Sequence, residues 1–193
     1  PWGWNSMVVL GLFAEARREA IAAAVREKRE WPGQWLTDVH AAYAVLARHP
    51  YGDETQVTAH HDFLRSLGAH GQAARVLDEG LARFPDSGVL HNRLRARILF
   101  EKGAAGLEPA YEGMLRAEGA ASSLEWFAGY ASVMAAEYHR RAGRETEALA
   151  AYERGIAHYE RHIEADPDQR ATADDGIALA LAGRARLAYE KKD

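Results

Sequence analysis

Cysteine is absent from this chain of 193 residues. That excludes disulfides, thiolate catalysis and cysteine-ligated zinc. It leaves the compartment open, with the cytoplasm only a default guess. An excess of one charge is missing too. Twenty-four basic residues against 28 acidic ones give a formal net charge of −4, which offers no electrostatic reason to expect nucleic acid or an anionic membrane. Nor is there a long apolar run. The most apolar stretch, Met7 to Ala14, falls well short of the roughly 20 residues a spanning helix needs, and no basic segment precedes it as in a signal peptide. It reads as a buried helix start, or alternatively as the remnant of an anchor or of an interface with a preceding domain. Strand signals are lacking as well: there is no sustained apolar/polar alternation and no Asn-Gly turn.

Alanine, arginine, glutamate and leucine are plentiful, and 48% of residues are apolar. That composition favours helix in a folded domain, and its Ala/Arg richness suggests a bacterial source. The chain opens on Pro1 rather than Met, which suggests a piece of a longer protein or a processed product. Helices are expected near 5–30, 34–48, 54–67, 71–84, 88–102, 108–118, 123–142, 145–165 and 170–190. Pro50, Pro85 and Pro167 fall where helices must stop, since proline removes a donor and clashes with the preceding turn. Asp86 and Ser87 can cap the helix after Pro85, and Asp166-Pro167 reads as a cap followed by proline at the first helical position. Ser122 with Glu125 fits a capping box, and Pro109 sits where a short helix begins. Ala148, Tyr152, Ile156, Tyr159 and Ile163 recur in steps of four and three, an apolar stripe that packs one helix face on a neighbour.

The chain also repeats itself. Leu46-Ala47-Arg48-His49-Pro50 returns as Leu81-Ala82-Arg83-Phe84-Pro85, and residues 62–84 align without gaps on 137–159. Gly68, Ala73, Gly80 and Ala82 meet Gly143, Ala148, Gly155 and Ala157; Phe63, Leu77, Leu81 and Phe84 meet Tyr138, Tyr152, Ile156 and Tyr159. Gly68 and Gly143 suit the left-handed residue that ends a helix. Gly80 and Gly155 lie inside helices, where glycine costs about 1 kcal/mol against alanine, so they mark close packing.

Glycine, then alanine, then Leu or an aromatic, then a proline ending the second helix: this pattern resembles the tetratricopeptide repeat family. The clearest unit is 54–87, through Gly68, Ala73, Leu77, Gly80 and Pro85. A second covers about 123–167, through Gly143, Ala148, Tyr152 and Gly155. A third, 88–118, fits through Leu94, Ile98, Gly103, Ala110 and Tyr111, with an insertion at Ala104 to Glu108. Residues 1–53 are N-terminal helices and a partial repeat, and 168–193 a capping helix. The chain departs from the family where Val57 and His60 stand in place of tryptophan and leucine in the first helix. The resemblance implies one all-α domain, a right-handed α-solenoid of antiparallel helical hairpins, acting as a scaffold that binds a peptide or protein segment on its concave face. The inward positions it implies are Asp62, Arg65, Ser66, Asn92, Ala96, Glu137, Arg140 and Arg141. Arg65 and Arg140 with Asn92 would hold an acidic or C-terminal segment through their planar forks; the plainer reading pairs those arginines with Asp62 and Glu137. The lysine- and asparagine-rich clamp of chaperone-binding members is not present.

No cofactor is expected. Nothing matches a nucleophile elbow, a phosphate loop or a zinc-protease helix, so an enzyme is not the expectation. His158 and His162 lie one turn apart and could share a metal, but their helix face offers little to complete a site; His60, His61 and Asp62 are adjacent and diverge. A further expectation is self-association, or service as a regulatory module of a larger protein. Trp2, Trp4, Trp31 and Trp35 gather near the N-terminus, either capping the end of a stack or forming an exposed contact patch.

Overall fold

The computed structural model describes residues 3–190; Trp2 lies outside them. Among the described residues the chain is helical, with no strand. In order come α1 (Trp4–Arg26), α2 (Gly33–Leu46), α3 (Glu54–Ser66), α4 (His70–Arg83), α5 (Gly88–Lys102), α6 (Leu107–Leu115), α7 (Leu124–Arg141), α8 (Glu145–Ala165) and α9 (Arg170–Glu190). The insertion at Ala104 forms a short 3-10 turn, Ala104–Gly106, that runs into α6. Helix α1 ends earlier than the periodicity suggests, because Lys28 turns left-handed at φ 53° and closes the helix. The chain divides into two compact units, 1–90 and 91–193, with the boundary inside α5.

In the first unit α1 pairs with α2 and α3 with α4. Met7, Ala14 and Ile21 of α1 meet Val39, Tyr43 and Leu46 of α2, with Phe63 of α3 added and Trp31 and Trp35 packed alongside. Two of the N-terminal tryptophans are thus half-buried against this core, whereas Trp4 stays 58% exposed. Helix α3 begins with a full capping box. Asp53 accepts from the Thr55 amide at 2.7 Å, and Gln56 accepts from the Asp53 amide at 2.8 Å. Two sequence-expected caps also form: Ser87 accepts from the Leu90 amide at 3.2 Å, and Asp166 from the Asp168 amide at 3.2 Å. The box expected at Ser122 and Glu125 does not. Helix α7 starts from Ser123 without a side-chain cap bond, because the Glu125 carboxylate turns instead to His158 and Arg161 on α8.

The two matching segments close their hairpins with the same hydrogen bonds. Gly68 (φ +75°) donates to Arg65 at 3.0 Å and Ala69 to Leu64 at 2.9 Å. Gly143 (φ +69°) donates to Arg140 at 3.0 Å and Arg144 to His139 at 2.9 Å. Both are Schellman closures, in which the left-handed residue turns the chain and satisfies orphan carbonyls. Helix α1 ends in the same way at Lys28, where Lys28 donates to Val25 and Arg29 to Ala24, although a left-handed backbone strains a lysine as it does not strain a glycine.

In the second unit α7, α8 and α9 pack in sequence. Tyr152 and Tyr159 of α8 are fully buried. Their rings lie where side chains of Gly183 and Gly176 on α9 would otherwise stand, and Gly129 of α7 sits 3.0 Å from the Tyr159 ring on the other side, measured from where its Cβ would be. Ala148, Ala151, Ala173 and Ala180 complete this close-packed core. The first unit has a counterpart in Gly80, whose missing methyl is replaced by Val57 of α3.

Gly80→Ala should therefore destabilise the chain by about 1–3 kcal/mol through overpacking, even though alanine is the better helix former by about 1 kcal/mol. Gly11→Ala, in the interior of α1 with open space around it, should stabilise by about 0.5–1 kcal/mol. Chemical denaturation of the two variants beside the parent checks both signs.

Candidate functional site

An open groove lies in the first unit between α2 and α4, with α3 as its floor. Its deeper part holds about 230 Å³ and is walled by Ala44 and Ala47 on one side and Val76, Gly80 and Arg83 on the other. Val57 and His60 reach it from α3. A shallower extension of about 310 Å³ continues past His40, Gln72 and Arg75. His60 and Glu79 line both parts.

Two imidazoles meet at the join. His40 Nδ1 and His60 Nε2 are 3.0 Å apart, one donating to the other, and His60 stacks on the Tyr43 ring at 5.0 Å. Burial pushes the pKa of His60 down to about 4, helped by the neighbouring His40 and His61; burial lowers His40 as well. The floor is therefore neutral at pH 7. The rim is not. Arg48, Arg75 and Glu79 are exposed and among the described residues form no ion pair. Arg83 donates to the carbonyls of Ala47, His49 (2.6 Å) and Gly52 (3.2 Å), so its charge closes the end of α2 without meeting a carboxylate. Its guanidinium lies 4.8 Å from the Phe84 ring.

The residues singled out from sequence fall into two groups. Glu137 and Arg140 are drawn together in a network that ties three helices. Arg140 donates to Glu137 at 2.9 Å and to Glu190 of α9 at 2.6 Å. Tyr152 of α8 donates to the same Glu137 carboxylate, and Arg186 approaches it at 3.5 Å. Burial alone would raise the Glu137 pKa, but the hydrogen bonds from Arg140 and Tyr152 outweigh it and hold the carboxyl below its ordinary value. Burial and that carboxylate push Tyr152 up to about 12. This pair fastens the fold. The others lie at the surface. Arg65, Ala96 and Arg141 are exposed. Asp62 sits 2.8 Å from the buried His61 ring, Ser66 donates to Phe63 within its own helix at 2.7 Å, and Asn92 accepts from Arg95.

Arg95 itself was not singled out by the sequence. It is only 4% exposed and is held by neutral groups: Asn92, the Tyr111 hydroxyl at 3.3 Å and the Tyr130 ring at 4.6 Å. His91 stacks on Phe127 beside it, with ring centroids 3.6 Å apart. His158 and His162 both face the start of α7, where His158 meets Glu125 at 2.6 Å and His162 the Ser122 carbonyl at 3.4 Å. Among the described residues no three His, Asp or Glu side chains gather as a metal site would require, and no helix is long and apolar enough to cross a membrane. No protein family, curated protein or solved structure matches the chain.

The His60 shift sets a pH window. The folded imidazole resists protonation until about pH 4, whereas the unfolded one titrates near 6.5, so the unfolded chain binds more protons between these values and stability falls as pH drops through them. Denaturation at pH 7 and pH 5 should show a smaller acid loss for His60→Gln than for the parent. Arg140→Ala should lower the melting temperature at pH 7, where Glu137 is ionised and left short of a partner. The gap to the parent should narrow below pH 4.5, as the Glu137 carboxyl takes up a proton.

Proposed function

We propose that this chain is a tetratricopeptide-like scaffold, its hairpins stacked as a right-handed α-solenoid, that binds a peptide or protein segment, as a module of a larger, bacterial protein. The observation that carries the reading is the hairpin closure at Gly68 repeated bond for bond at Gly143. Small residues come after each closure at the same steps: Ala73 and Gly80, then Ala148 and Gly155. A sequence that repeats turn, close contact and groove-filling residue builds by stacking like units, and stacked hairpins present extended surfaces for a partner chain.

A second reading is favoured by one feature of the first unit. Val8, Val9, Leu12 and Phe13 stand exposed on one side of α1, with Trp4 nearby packed edge-on against Tyr51. An apolar face of that kind suits self-association. Sedimentation over a range of concentrations, with Val9→Lys and Leu12→Lys as the control variant, separates the two: a dimer lost in the variant supports the second.

The peptide reading is tested by selecting from a random displayed-peptide library on the full chain and titrating the winners in solution. Binders of micromolar affinity that share a motif are the expected result. A library that yields nothing above background on folded protein would sink it.

A further inference from the structure

We propose that the α2–α4 groove of the first unit is the docking site for an acidic segment of a partner protein, seated by one apolar anchor residue. This rests on the peptide-binding reading and names the chemistry of the segment.

The groove combines two features that a solvated helix face does not need. The first is an apolar slot. Ala44, Ala47 and Val76 line its deeper end beside the buried Val57, and its volume of about 230 Å³ suits a single Leu- or Phe-sized side chain. Filling it would bury apolar surface that the chain itself leaves open. The second is an unbalanced rim. Among the residues lining it, Arg48, Arg75 and Arg83 face one carboxylate, Glu79, on a chain whose formal net charge is −4. The local sign is thus opposite to that of the whole molecule.

The contrast with other arginines sharpens the point. Arg140, Arg154 and Arg161 each meet a glutamate within 3.2 Å, so this sequence pairs arginine readily where pairing serves the fold. At Arg48 and Arg75 it does not, and carboxylates from a partner would complete the arrangement through the guanidinium fork. The neutral His40–His60 pair at the floor adds no competing charge. Nucleic acid is the less fitting anion. The slot admits one side chain rather than a row of stacked bases.

The test uses the full chain and a fluorescent peptide in which one Leu is flanked by Asp and Glu residues, read by anisotropy. The same peptide with Lys for every acid and an oligothymidylate serve as competitors. Binding by the acidic peptide alone is expected, and Arg48→Glu with Arg75→Glu should weaken it by about tenfold or more, with an unchanged melting curve. Replacing the Leu by Ser should weaken it as well. Absence of binding by the acidic peptide, or equal binding by the parent and the double variant, overturns the proposal. If library-selected peptides still bind with no acidic bias, the peptide-binding reading survives while this site falls. If the oligothymidylate binds with the same arginine dependence, the groove reads phosphates and the proposal is replaced.

Discussion

Close approach of helices governs this structure. Where α8 meets α9, Tyr152 and Tyr159 occupy the space that side chains at Gly183 and Gly176 would take, and Gly129 admits the second ring from the other side. The tyrosines are one heptad apart, as are the glycines, so two large residues engage two absent ones along an antiparallel pair. Interiors are packed to crystal-like density, and a surplus methyl has nowhere to go. The same device recurs with smaller parts at Gly80 and Val57. Helix α9 bears the mark of this packing: it is held by a strip of Ala173, Gly176, Ala180, Gly183 and Leu187 rather than by a greasy face.

Electrostatics are laid out differently in the two units. In the second, charge fastens helices: Glu137 collects Arg140, Tyr152 and Arg186, while Glu125 holds His158 and Arg161. In the first, the groove-side arginines Arg48 and Arg75 meet no carboxylate among the described residues. Ion pairs contribute little when exposed and more when half-buried with several hydrogen bonds. The Glu137 cluster belongs to the second kind, and it clasps α7, α8 and α9 together.

The helices were legible because their punctuation is chemical and local. Proline at 50, 85 and 167, glycine at 68 and 143, and the stripe from Ala148 to Ile163 each act within a few residues of where they stand. The Asp53 capping box is equally local, with Asp53 and Gln56 three apart as the motif requires. The Ser122–Glu125 box was read from the same kind of spacing and failed, since a carboxylate at that position found a histidine and an arginine 33 and 36 residues away. The groove was beyond reach for a related reason. His40 and His60 come from different helices 20 residues apart, and nothing in the spacing of either announces the other. Arg95 was hidden by the ordinary expectation that arginine faces water. The strip on α9 was visible in principle, as small residues in steps of three and four.

The paired rings of α8 differ at their tips. The Tyr152 hydroxyl donates a hydrogen bond to the Glu137 carboxylate, whereas the Tyr159 hydroxyl is sealed away with no acceptor among the described residues. One oxygen serves the fold and the other burdens it, since a buried hydroxyl gives up its water and gains no partner in exchange. Natural drift between tyrosine and phenylalanine would thus be close to free at position 159 and resisted at position 152, an asymmetry between two otherwise matching plugs that relatives of this chain would carry as a signature.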